Sequence, residues 1–384
     1  MKKVVSGIIV LLLLLISMLM WTYNIKQVKA EWTGTVYIRA DGSIDPPDAP
    51  ITTNDNMTYT LIGSITSSGN GIIVERNNII LDCGGNIIQG VGFEWGGIAI
   101  QLIEMSNVTI KNANIKDIFE GIDLYKSSNN SLIGNNITDA GEGIFLHGTY
   151  EKLSKYNTIF GNNIARSHAE GIRFEYSSDN TIYHNNFVDN HLNVYCFAST
   201  NIWDDGYPSG GNHWSNYTGV DANYDGIGDT PYIIDESNQD SYPLVAPISV
   251  FNLGVWNGAQ CKIDVISNSI ISDVQASTLQ KIISFNVSGI EGTSGFCRVA
   301  ISNNIVQNLW QGNYMVLLNG KPWPFNNWTD TKNTYIYINY THSEHKIVII
   351  PEFPSTMILP PFMLTTLITT VLLMKKRKIE RKLP

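Results

Sequence analysis

The chain has 384 residues, 43% of them hydrophobic and 15% charged, with a formal charge of −9, which is long and apolar enough for two or more packed domains. Ten of the 25 basic residues fall within 1–30 and 375–382, so the body between them carries 15 basic against 33 acidic residues. Such a body repels phosphate backbones; this excludes nucleic acid as a partner and favours cations.

At the N-terminus, Lys2 and Lys3 precede the apolar run VVSGIIVLLLLLISMLMW, and Val28 and Ala30 offer small residues before a cut at Glu31. Residues 1–30 therefore read as a secretory signal peptide, although the run is also long enough to stay as an anchor. Residues 31–58 are expected to cap the domain that follows. Eight Asn-x-Ser/Thr acceptor sites agree with an extracellular glycoprotein. Among the four cysteines, Cys83 and Cys196 lie far apart and read as buried thiols, whereas Cys261 and Cys297 share one C-terminal stretch and are expected to pair as a disulfide. No CxxC spacing points to zinc or to a redox site.

From residue 59 to 203 the sequence repeats. NSLIGNNI (130–137), NTIFGNNI (157–164) and NTIYHNNF (180–187) align without gaps, and NVTIKNANI (107–115) aligns with one extra residue. Glu-Gly-Ile steps recur at Glu120, Glu142 and Glu170, and an insertion falls within HGTYEKLSKY (147–156). The repeat is about 22 residues, with apolar residues alternating over short stretches and no helical stripe, so it predicts a solenoid of short parallel strands. The paired asparagines, Asn135 and Asn136, Asn162 and Asn163, Asn185 and Asn186, are expected to stack as amide ladders at a bend.

The opening NNIILDCGGNIIQG (77–90), the NTI/GNNI coils and the close NIWDDGYPSGGNHWSNYTGVDANYDGIGDTPYIID (201–235) resemble the NosD-type family of right-handed parallel β-helix proteins, often found in archaeal surface proteins. The resemblance spans roughly residues 60–245. It implies an all-β solenoid and, for activity, either a role in copper-enzyme maturation or the binding or cleavage of carbohydrate. In the family's cap motif, Asp204 and Asp205 of WDDG are expected to be structural.

Residues 204–248 are then expected to form an aromatic cap, with Tyr207, Trp214 and Tyr217 beside Trp203, and contain a calcium-type loop. Asp221, Asn223, Asp225, Gly226 and Asp229 hold positions 1, 3, 5, 6 and 9 of that loop, but Tyr232 stands where a bidentate Glu is needed. Asp235, Glu236 and Asp240 are candidates for the missing ligand. The expectation is a structural calcium ion, with a metal-free turn as the alternative. Residues 249–350, rich in short strands such as KIDVIS, FCRVAIS and TYIYINYT, predict a β-sandwich similar to the immunoglobulin-like modules of archaeal surface proteins. In 351–384, PEFPS, the apolar TMILPPFMLTTLITTVLLM and a basic cluster predict a C-terminal transmembrane anchor with the body outside the cell. This tail is similar to a PEF-type sorting signal, which implies archaeosortase processing.

If Ile122, Ile144, Ile172 and Val194 point inward, Asp123, Phe145, Arg173 and Tyr195 form one outward column, and Tyr125, His147, Glu175 and Phe197 the next. Rings and charged groups stacked about 4.8 Å apart suit a carbohydrate-binding groove, the alternative being a solvated face. Glu120, Glu142 and Glu170 stack likewise and are the candidate catalytic carboxylates. The sequence thus predicts a surface-anchored β-helix that binds an extracellular or envelope glycan. The alternatives are a glycoside hydrolase or polysaccharide lyase, a non-catalytic envelope or adhesion protein, and a copper-maturation accessory.

Overall fold

The structure, a computed structural model, describes residues 32–256 and 259–352. The expected signal peptide and C-terminal membrane segment lie outside the described residues; among the described ones no helix is long and apolar enough to cross a membrane.

The period-two segments form a right-handed parallel β-solenoid of about seven coils, with three sheets of eight, eight and seven strands. One sheet carries the longest strands, Ile98–Ile103, Glu120–Tyr125, Glu142–His147, Glu170–Glu175 and Leu192–Phe197. In it Ile122, Ile144, Ile172 and Val194 stack in register and are buried. The other two sheets contribute Ile115, Ile137, Ile164 and Phe187, and Ile110, Leu132, Ile159 and Ile182, to the same core. Each coil buries its apolar residues only against its neighbours, as a solenoid requires.

Buried asparagines connect the coils at two corners. Asn135 donates through Nδ2 to Asn162 Oδ1, Asn162 to Asn185 and Asn185 to Asn212, each at 2.9 Å. A second ladder, unforeseen in the sequence, runs from Asn130 through Asn157 and Asn180 to Asn201. Of the outer partners, Asn136 and Asn163 continue a half-buried ladder from Asn114, but Asn186 leaves it and exchanges two hydrogen bonds with the backbone of Ile248.

Within the segment 32–58, Trp32–Thr33 and Val36–Ile38 pair in parallel with Ile65–Thr66 and Ile72–Val74. At the other end of the solenoid Trp214 lies between Phe187 and Tyr232, stacked on both with centroids 4.3 Å apart. Asp240 is fully buried and accepts hydrogen bonds from Trp214 Nε1 and the Asn212 amide.

Residues 248–351 form two five-stranded antiparallel sheets that share one apolar core, a β-sandwich in arrangement. An unforeseen helix, Asn303–Trp310, buries Ile305, Val306, Leu309 and Trp310 on one side. The expected disulfide is corrected. Cys297 pairs opposite Ser267, six residues along the strand from Cys261, a separation of about 20 Å at strand rise, and a disulfide needs α-carbons within about 7 Å. Both are free and buried, and burial pushes both thiols up.

Candidate functional site

The long-strand sheet brings together eleven of the residues singled out in the sequence. Each strand begins Glu-Gly in three successive coils, and the glycine is required: a β-carbon on Gly143 would lie 2.4 Å from the Gly171 carbonyl oxygen. The coils can therefore close up, and the residue before each glycine forms a column of Glu120, Glu142 and Glu170. The same register aligns Asp123, Phe145, Arg173 and Tyr195, and beside them Tyr125, His147, Glu175 and Phe197.

Side chains along these columns interlock. Arg173 donates through Nη1 to Glu142 Oε1 at 2.9 Å and through Nε to Glu175 Oε1 at 3.1 Å, and its guanidinium carbon lies 5.1 Å from the Phe145 ring centre and 5.6 Å from that of Tyr195. The His147 ring is parallel to Phe145 with centroids 4.1 Å apart, and lies 4.7 Å from Tyr125. Asp123, expected to face solvent, is only 3% exposed, because His147 Nε2 and Gln101 Nε2 close over it and donate to its carboxylate at 2.9 and 3.0 Å. The rings that remain open are Tyr195 and Phe197, 39% and 47% exposed.

The glutamate column is the electrostatically perturbed part of this face. Burial, with Asp123 and Glu142 nearby, pushes the Glu120 carboxyl up to about 7. Burial also raises Glu142, against the Arg173 charge. Glu142 Oε2 and Glu170 Oε2 are buried without a hydrogen-bond partner.

Two features of the site were missed in the sequence because neither follows the repeat. A turn carrying Phe93–Trp95 interrupts the coils before Ile98; Phe93 stacks on His168, two residues ahead of Glu170, with centroids 3.7 Å apart. It spans three rungs, roughly 14 Å, along the glutamate edge. Beyond Leu192, the last position of that column, a cavity of about 330 Å³ is lined by His191, Asn193, Asn216 and Tyr232 among others. Asn193 Nδ2 donates there to Asn216 Oδ1 and Tyr232 Oη.

The acidic cap loop lies apart, against the sandwich. Asp221 accepts the backbone amides of Asp225 and Gly226, Asp225 accepts that of Ile227, and Asp229 accepts that of Ala222. Asp225 is 2% exposed, so only Asp221, Asn223 and Asp229 present a rim to solvent. Of the candidates for a further ligand, Asp240 is occupied in the core of the cap and Asp235 accepts the Ser237 amide and Asn238 Nδ2. Among the described residues no three His, Cys, Asp or Glu side chains form a group that could hold a metal.

This is a β-solenoid with one sheet face of stacked rings and carboxylates, closed by an aromatic cap and followed by a β-sandwich. The chain belongs to the NosD family, whose model, described as periplasmic copper-binding protein (NosD), matches residues 22–219. It is 33% identical over 145 residues to the probable ABC transporter binding protein NosD of Stutzerimonas stutzeri, a match covering 34% of this chain and 32% of that protein. The match thus spans about a third of that relative's length. Among solved structures, tailspike protein 2 of Escherichia coli O157:H7 bacteriophage CAB120 matches at 11% identity over 75% of this chain and 45% of its own, with a TM-score of 0.30. The Dettilon tailspike protein matches at 11% identity over 75% and 68%, with a TM-score of 0.19.

The family description names copper. The described donor set does not fit a histidine-built copper centre: His184 and His213 are hydrogen-bonded to the backbone carbonyls of Ser209 and Leu244, and the stacked His147 is hydrogen-bonded to Asp123.

Proposed function

We propose that this chain is a periplasmic or surface protein that binds a glycan along the long-strand face of its solenoid. The observation that carries the reading is the in-register column of Asp123, Phe145, Arg173 and Tyr195 beside Tyr125, His147, Glu175 and Phe197. Flat rings spaced by the strand repeat offer apolar faces to successive sugar units, and the Glu175 carboxylate and Arg173 guanidinium between them exchange hydrogen bonds with hydroxyls. The apolar segment 356–374 would hold the protein to the membrane, or be exchanged for another link by an archaeosortase. The test is a glycan array probed with the full-length chain and with Tyr195→Ala. Tyr195 is exposed, so its loss should change stability by roughly 0.5 kcal/mol or less while weakening binding. A chain that captures no glycan would be the envelope or adhesion protein of the alternative reading.

One observation favours a second reading, carbohydrate cleavage. Glu120 is held protonated up to about pH 7 beside Glu142, one rung away. A protonated carboxyl and a carboxylate about 5 Å apart are the pair a retaining glycosidase uses, one giving its proton to the leaving oxygen and the other attacking the sugar carbon. Release of reducing ends by the wild type, lost in Glu120→Gln, would separate enzyme from binder.

A further inference from the structure

We propose that the Glu120, Glu142 and Glu170 column is a subsite for sugar units carrying a protonated amine, so that the glycan on this face is a cationic amino-sugar polymer. The inference rests on the glycan reading above and names its substrate class.

The chain leaves acceptors here that it does not itself satisfy. Glu142 is 7% exposed, and although its Oε1 takes Arg173, its Oε2 is buried without a partner, as is Glu170 Oε2 in the next coil. A buried carboxylate oxygen without a donor bears its full desolvation cost, and native structures rarely keep such groups unless a water, an ion or a ligand serves them. Two such oxygens stand in one column, in successive coils.

Charge then selects the kind of donor. Glu120, Asp123, Glu142, Glu170 and Glu175 share this face with a single guanidinium, that of Arg173, which is already shared between Glu142 and Glu175. Lys126 lies over the Tyr125 ring at the far end of its strand, and Lys152 is paired with Glu104. A uronic acid would add a further negative charge to a face that already carries five carboxyl groups and one guanidinium. A neutral sugar would bring hydroxyl donors but leave the charge uncompensated. An ammonium group brings three donors and the missing positive charge at once.

The test is calorimetric titration of the full-length chain with hexamers of glucosamine, N-acetylglucosamine and galacturonic acid. The glucosamine hexamer should bind at least about tenfold more tightly than the N-acetyl hexamer, because a charge-assisted hydrogen bond to a half-buried carboxylate is worth that much in affinity. Combining Glu142→Gln with Glu170→Gln should erase this preference, so that the glucosamine and N-acetylglucosamine hexamers bind the variant within about twofold of each other. If the double variant melts early, Glu170→Gln alone carries the same comparison, since that side chain holds no ion pair. Equal binding of the two hexosamine hexamers, or a preference for galacturonate, would overturn the amine assignment and leave glycan binding standing. Failure of all three hexamers, together with an empty glycan array, would overturn both.

Discussion

Glu120 illustrates how a single side chain records its surroundings. Its carboxyl rises from an ordinary 4.5 to about 7, first through burial and then through Asp123 and Glu142. A carboxyl raised in the folded state contributes stability that is fully present below its unfolded value and is lost as pH rises through the folded one. Glu120 therefore favours folding below about pH 4.5 and progressively less up to and beyond pH 7. In Glu120→Gln that slope should be absent, so the melting temperature of the variant relative to wild type should climb between pH 4.5 and 8. Thermal unfolding of both proteins across that range is the check; a constant difference would mean that Glu120 titrates normally. Subtracting the two curves removes the similar slope expected from Asp240, which burial also pushes up to about 7.

At the scale of the coil, the two corners of asparagines show what the repeat encodes. Asn157 is fully buried, donates to Ser127 and Asn180, and accepts from the amide and Nδ2 of Asn130. Asn157→Ala strands these groups and should cost at least about 2 kcal/mol, whereas Asn163→Ala, on the half-buried outer ladder, should cost under about 1 kcal/mol, both measured by denaturant unfolding. The coil itself was legible: the alternation of Ile122, Leu124, Ile144 and Leu146 places inward and outward residues as they stand, and the three outward columns pair in the expected register. What hid from the sequence depends on neighbours that break the period. Asp123 is covered because Gln101 and His147 in adjacent rungs are long enough to reach it, and Phe93 meets His168 through an insertion that no repeat anticipates. The sandwich helix did leave a signal, apolar residues at 305, 306, 309 and 310, which its setting among strands masked. The cap loop was half legible: its Asx-rich spacing predicts a tight turn correctly, while the burial of Asp225 restricts any calcium to the rim of Asp221, Asn223 and Asp229. Calcium at that rim remains our proposal for this loop. A cation bound only by the folded form at a hundredfold excess over Kd would add about 2.7 kcal/mol, so chelation should lower the melting temperature of the wild type and not that of Asp229→Ala. Melting unchanged by chelation would leave the loop a metal-free turn.

Across the whole molecule, the consequential contact is one that no local pattern could reveal, because it depends on how the solenoid meets the sandwich. Arg298, in the sandwich strand Ser294–Ser302, is 2% exposed and reaches into the solenoid cap, where Nη2 donates to the Pro208 carbonyl and Nη1 lies 3.5 Å from that of Ser209. Its guanidinium lies 4.3 Å from the Tyr335 ring centre, and the Asp221 and Asp225 carboxylates attract it across the acidic loop. Gly226 of that loop has φ 83°, and a β-carbon there would come 2.8 Å from Arg298 Cδ, so the glycine serves both the turn and the close approach. Around the arginine, Ile227 and Leu244 of the cap pack with Ile248 and Ile266 of the sandwich, Asn186 holds the backbone of Ile248, and Lys262 lies 4.6 Å over Phe160. A buried arginine is costly to desolvate and is tolerated only where carbonyls, a ring and carboxylates receive it, so it fixes one docking in preference to others. Arg298→Leu keeps the bulk of the side chain but leaves the Pro208 carbonyl and the acidic loop uncompensated. Breaking such a contact costs about 3–5 kcal/mol, here at the junction between the solenoid and the sandwich. The wild type should therefore unfold in one calorimetric transition and Arg298→Leu in two, with faster proteolytic cleavage near residues 245–250. A single transition at an unchanged midpoint in the variant would show that the apolar cluster alone couples the solenoid to the sandwich and that the arginine is incidental to it.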